Sequence, residues 1–151
     1  MADFREHLSE DLKTAMRSRA EVARETIRML NAALKNAQIA AMRPLSEDEA
    51  QAVLVTQIKQ RRDSIDQFRQ AGREDLATRE EAELEILSQY LPAAPSAEEI
   101  ESALQEAIAT LGATGPQDMA KVMRAVLERY PGQIDGKQLA PLVRSALAGK
   151  G

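Results

Sequence analysis

The residues best equipped for chemistry lie between Lys59 and Pro92, in the run KQRRDSIDQFRQAGREDLATREEAELEILSQYLP. Ile58, Arg61, Ile65 and Phe68 fall on one line at spacings of three and four, so a guanidinium interrupts an apolar stripe. Downstream, Leu76, Glu80, Glu83, Leu84 and Leu87 share a face in the same way. Two helices folded back on each other about Gly72 would let Arg61 reach Glu83 or a neighbouring acid. A half-buried guanidinium needs a carboxylate fork, because its desolvation is otherwise uncompensated. The structural reading is an ion pair of Arg61 with Glu80 and Glu83 that sets the register of the two helices. The functional reading is a ligand-binding pocket of charged side chains.

Other chemistries lack their parts. Glu80, Glu81, Glu83 and Glu85 invite a metal reading, but carboxylate metal sites on helix bundles recruit a Glu-x-x-His element. The sole histidine, His7, stands far off in the first helix and reads as a surface or boundary residue. There is no cysteine, so disulfides, thiolate metal sites and a Cys nucleophile are excluded. No Ser-His-Asp arrangement and no glycine-rich phosphate loop is present. We therefore expect no catalytic residue, no metal and no cofactor.

The basic side chains raise the nucleic-acid question. From Lys59 to Arg73 there are five Lys/Arg against two Asp/Glu; from Glu74 to Glu85 there are six Asp/Glu against one Arg. Arg62, Arg69 and Arg73 project to a broad side away from the apolar stripe. Internal pairing with the acidic segment is the first reading and salt-sensitive contact with RNA phosphates the second. From Pro92 onward six Lys/Arg meet seven Asp/Glu, a nearly neutral balance.

The elements that must position these residues are helices. Ala, Leu, Glu, Gln and Arg dominate, all good helix formers, and no run of β-branched residues competes. With 44% apolar but only 3% aromatic residues, the core must be aliphatic. Phe4, Leu8, Leu12 and Met16 mark a first helix, which breaks near Ser18-Arg19. A second carries Val22, Thr26, Met29, Leu30, Ala33, Leu34 and Ala37 and ends at Arg43-Pro44. Ser46-Glu47-Asp48-Glu49 is a capping box for a third, with Ala50, Val53, Leu54, Ile58, Ile65 and Phe68 inward and Gly72 as its C-terminal cap. A fourth helix stops at Pro92. Pro92-Ala93-Ala94-Pro95 reads as a linker, and Ser96-Ala97-Glu98-Glu99 is a second capping box. Three short helices follow: one with Ile100, Leu104, Ile108 and Leu111, one opened by Gly115-Pro116 with Met119, Val122, Met123, Val126, Leu127 and Tyr130, and one capped by Asp135 that buries Leu139, Leu142, Val143 and Leu147. The expectation is an all-α protein, with an antiparallel four-helix domain over 1–92 and a three-helix tail domain over 96–151.

A net charge of −4 and a pI near 5.2 argue against a strongly basic nucleic-acid binder, though not against a local basic face. The N-terminus has no apolar core of a signal peptide, and no apolar run approaches the ~20 residues of a membrane span. A cytoplasmic location is the default expectation.

The chain resembles the YqeY-like family of small bacterial proteins across nearly its whole length. The likeness rests on Lys35-Asn36-Ala37, Lys59-Gln60-Arg61-Arg62-Asp63-Ser64-Ile65, Ala71-Gly72-Arg73, Glu83-Leu84-Glu85-Ile86-Leu87 and Tyr90-Leu91-Pro92, then Asp118-Met119, Val122-Met123 and Asp135-Gly136-Lys137. The family's tail half is similar to the C-terminal domain of the B subunit of glutamine-dependent tRNA amidotransferase, where the tail helps hold tRNA. The resemblance implies two helical domains and a non-catalytic adaptor that binds tRNA or a tRNA-handling protein. Its contacts would be Lys121, Arg124, Lys137 and Arg144 in the tail, with Arg62, Arg69 and Arg73 in the first domain. Carbon-nitrogen ligase activity with glutamine as donor would be inherited from the relative, since this chain lacks the parts that activate an acid or release ammonia. A protein–protein interaction module without RNA is the alternative.

Overall fold

The structure, a computed structural model, describes residues 3–149; the outermost residues of the two expected domains lie outside that range. The described residues form seven α-helices and one short 3₁₀ turn, with no strand. The chain divides into two compact units, one ending at Leu91 and the other beginning at Pro92.

The first unit holds α1 (Arg5–Arg17), α2 (Glu21–Ala41), α3 (Glu47–Gln70) and α4 (Glu74–Ser88). Local chemistry fixes the ends of these helices. The break between α1 and α2 is made by Arg19 in the left-handed region (φ 56°), which lets the Ala20 N–H reach the Ala15 carbonyl at 3.0 Å. The second helix stops at Ala41, before Arg43-Pro44, because Met42 takes φ 59°. The third starts with a complete capping box: Ser46 Oγ accepts from the Glu49 N–H, and the Glu49 carboxylate accepts from the Ser46 N–H, each at 3.1 Å. It ends at Gly72, whose φ of 73° lets the Arg73 N–H donate to the Phe68 carbonyl (2.8 Å) and its own N–H to that of Arg69 (3.1 Å). This double closure needs a left-handed residue, and glycine supplies it without a Cβ penalty. The chain then reverses directly into α4, and α3 and α4 form the most extensive helix pair in the molecule.

Leu8, Ile27, Leu30, Leu54, Ile58 and Leu87 form the apolar centre of this unit, flanked by Phe4, Leu12, Leu34, Leu84, Tyr90 and Leu91. Three expected core positions differ. Ala15 is buried and Met16 exposed; Thr26, Ile27 and Leu30 are buried while Met29 faces out; Val55 is buried more fully than Val53. The buried arc is thus shifted by one or two residues at these positions, and the flexible methionines lie at its edge.

The second unit packs α5 (Ala97–Leu111), α6 (Met119–Arg129) and α7 (Gly136–Ala148) around Leu104, Ile108, Val122, Val126, Leu139, Val143 and Leu147. Ser96 gives α5 a second capping box, and Asp135 Oδ1 accepts from the Lys137 N–H at the start of α7 (3.0 Å). Gly115-Pro116 opens a 3₁₀ turn, Pro116–Asp118, that leads into α6. Leu142, expected inside, is 46% exposed. The Gln133 amide ties the loop before α7 to the carbonyls of Pro92 and Ala93 at 3.0 and 2.9 Å, so the start of the unit is anchored to its own fold. No helix among the described residues is long and apolar enough to cross a membrane.

Candidate functional site

The turn at Gly72 lays the basic half of α3 against the acidic half of α4, so charges pair in descending order along the two helices. Arg69 meets Glu74 and Glu81 near the turn, and Arg61 meets Glu80 and Glu83 further from it. The second cluster lies inside. Arg61 is 5% and Glu83 7% exposed, and with Thr26 they are the polar residues buried among those described. Arg61 Nε lies 3.5 Å from Glu83 Oε2 and 3.8 Å from Glu80 Oε2. Its Nη1 donates to Gln57 Oε1 at 2.8 Å, one helical turn earlier, and its Nη2 points at Met29 Sδ, 3.6 Å away. Both carboxylates are too far from Nε for a hydrogen bond, and the buried Nε–H makes none.

Two acids face one buried base, and the second base, Arg79, is exposed and reaches Glu83 Oε1 only at 4.0 Å. Burial first, and the adjacent Glu83 carboxylate second, push the Glu80 carboxyl above its ordinary value; Arg61 and Arg79 pull against them without cancelling the shift. These groups line a cleft of about 440 Å³ in the first unit, completed by Met29, Gln60, Asp63 and Ser64. Sequence reasoning singled out Arg61, Glu80 and Glu83 but not the other four lining residues, nor Gln57. Gln57 was legible as the residue one turn before Arg61. Met29 was not, because a methionine on an apolar stripe ordinarily reads as core.

Two of the other basic candidates of the first unit, Arg69 and Arg73, are held on the surface. Arg73 forms a fork with Asp75, both contacts at 3.1 Å, and Arg69 is clamped between Glu74 and Glu81. Arg62 is half-buried and has interactions of its own. In the second unit Lys121, Arg124, Lys137 and Arg144 are all exposed. Among the described residues Arg129 pairs with Glu106 at 2.5 Å, while no ion pair holds Lys121, Arg124 or Arg144. The structure thus brings Arg61, Glu80 and Glu83 into one cluster and distributes the other candidates over the surfaces of the two units.

Tyr90, next to Leu91-Pro92, is a further anchor. Its hydroxyl donates to Asp11 Oδ2 at 2.6 Å and its ring stands 6.1 Å from that of Phe4, fastening the end of α4 to α1. Burial, and then this bond to a carboxylate, push the phenol well above its ordinary value. Among the described residues no group of three or more His, Cys, Asp or Glu is arranged to hold a metal ion.

Comparison with known proteins supplies the context. The family described as Yqey-like protein matches residues 5–147. Altered inheritance of mitochondria protein 41, mitochondrial, from Eremothecium gossypii is 35% identical over 147 residues, covering 94% of this chain and 79% of the relative. The protein of the same name from Pyrenophora tritici-repentis is 33% identical, covering 95% and 80%. That from a Saccharomyces cerevisiae strain is 34% identical over 96 residues, covering 62% of this chain and 51% of the relative. These names correct the cytoplasmic expectation. It rested on the absence of recognisable targeting features, whereas the relatives are named as mitochondrial proteins.

Proposed function

Since the chain belongs to the Yqey-like family, we propose that it is a non-catalytic adaptor of two helical domains whose tail binds tRNA or a tRNA-handling partner. The observation that carries this reading is the contrast in how the candidate cations of the two units are held. The arginines Arg69 and Arg73 face carboxylates of their own unit, and Arg61 is buried among acids. Lys121 and Arg124, three residues apart on α6, and Arg144 on α7 stand in solvent without such partners. Lys137 lies seven residues before Arg144 and so on the same side of α7. Side chains of this kind contact phosphates, and the affinity they give falls steeply with salt. The cluster of Arg61, Glu80 and Glu83 is then the device that fixes α3 against α4. Ligase chemistry with glutamine as donor has no residue set to support it.

The test is tRNA binding by the full chain, followed by fluorescence anisotropy at about 50 and about 200 mM salt. Binding that weakens steeply with salt supports the proposal. No binding at the lower salt removes it.

A second reading, a protein–protein module without RNA, is favoured by a different surface. Ile39 is 64% and Met42 92% exposed at the end of α2, beside the acidic overall balance. A stoichiometric protein partner retained after nuclease treatment, and lost in Met42→Glu, would select it.

A further inference from the structure

The cleft between α2, α3 and α4 holds an unmet hydrogen-bonding demand that register-setting alone does not explain. Arg61 Nε–H, in a side chain 6% exposed, has no acceptor, although two carboxylates that line the cleft stand 3.5 and 3.8 Å away. Those carboxylates are themselves held only by long contacts to cations, Arg61 Nε on one side and Arg79 Nε, 4.0 Å from Glu83 Oε1, on the other. A group that enters here must accept from Nε–H and donate to Glu80 or Glu83. An anion such as phosphate meets the acids Asp63, Glu80 and Glu83 and is repelled by them. An ammonium ion has no lone pair to accept with. A hydroxyl does both. Glu80 is the movable member: its side chain is 24% exposed, against 10% for Glu83, so its displacement toward solvent opens the gap for an oxygen atom. Ser64 and Asp63 extend the same pairing outward along α3, and Met29 supplies an apolar wall for carbon atoms.

The geometry points to a binding site for a vicinal diol, of the kind carried by a pentose, with one hydroxyl on Arg61 and Glu83 and its neighbour toward Asp63 and Ser64. This site is separate from the phosphate contacts assigned to the tail and stands or falls without them. At a volume of about 440 Å³ the cleft holds one sugar ring with room to spare. The affinity expected of so small a ligand is on the order of 1 mM.

The arginine Nε–Hε resonance reports the site directly. The full chain, labelled with nitrogen-15, is titrated with methyl β-ribofuranoside, its 2-deoxy counterpart, adenosine and putrescine. Arg61→Lys, which removes Nε–Hε, assigns the signal. The expected result is a saturable shift with the ribofuranoside and about tenfold weaker binding of the deoxy sugar, which leaves one hydroxyl position empty. Tighter binding of adenosine would identify the diol as a nucleoside's; equal binding would identify it as a free sugar's. The rim variants Asp63→Ala and Ser64→Ala, at positions outside the core, should each weaken binding several-fold while leaving the helical signal intact. Three outcomes overturn the proposal: no saturable shift with any hydroxylated probe, an equal response to ribose and deoxyribose forms, or a response to putrescine alone. Unchanged affinity in both rim variants also overturns it.

Discussion

The two units solve the same packing problem with different materials. The first closes its helices over three buried polar side chains, Thr26, Arg61 and Glu83, while the described core of the second is apolar throughout. A core of Leu, Ile, Val and Ala tolerates small slips in register, because dispersion and burial are not directional. A guanidinium between carboxylates does not, because a displaced partner leaves a buried charge without compensation. Charge is therefore a positioning element in the first unit and a surface property in the second. The lesson is that a count of basic residues says little about binding until the partners of each are known.

The hardest test of this contrast is to remove the buried base. Arg61→Ala leaves Glu83 and Glu80 facing each other without their buried base, and should cost the first unit about 3–5 kcal/mol. Hydrogen exchange of α3 and α4 amides should quicken accordingly, with the amides of α6 and α7 unchanged. Equal acceleration in both units, or none in α3 and α4, would break the comparison. Next in size is Tyr90→Phe, which keeps the ring beside Phe4 but deletes the bond to Asp11. A hydrogen bond to a charged group contributes about 1.5–3 kcal/mol, so urea unfolding of the first unit should shift by that amount. A shift of a few tenths would mean that the aromatic contact alone holds the end of α4.

The tail should behave in the opposite sense. Lys121→Glu with Arg124→Glu changes exposed residues and should alter stability by no more than about 0.5 kcal/mol. If the tail contacts phosphate, the same pair should lower tRNA affinity at least about tenfold, and neutral replacements should flatten the salt slope by roughly one per lost contact. The reverse pattern, lost stability with unchanged affinity, would place these side chains in the fold rather than at a partner.

Helix boundaries were largely legible because they are set by local rules. Ser46, Ser96, Gly72 and Asp135 each act within a few residues of themselves, and each caps the helix that its spacing predicts. The inward arc of each helix was legible only to within one or two residues, because it is decided by the neighbour it meets. Met16, Met29 and Leu142 lie at the edges of their stripes, where a small rotation exchanges core for solvent. The cleft was half legible. The spacing of Arg61 with Ile58 and Ile65 marks a charge that must be matched, and the acidic face of α4 names its partners. That Nε–H would lack an acceptor was not readable, since it depends on gaps of a few tenths of an ångström between side chains on different helices.

The smallest expected effect is also the most specific to the first unit. Glu80 has its carboxyl raised by burial and by Glu83, so the folded chain holds that proton more tightly than the unfolded chain does. Folded protein then binds more protons than unfolded, and stability falls as pH rises. The fall begins near the ordinary glutamate value, about 4.3, and is complete once the raised folded value has been passed. Glu80→Gln removes the charge that must be accommodated while retaining a group that donates to Glu83. Its stability relative to wild type should therefore grow across that window and level off above it, with little difference below. Denaturant unfolding of both proteins at a series of pH values measures the difference. A wild-type advantage that grows with pH would mean that Glu80 is needed ionised as the partner of Arg61. Arg61 would then be matched by two full carboxylates, and the shortage of buried positive charge that distinguishes this core from that of the tail would not exist.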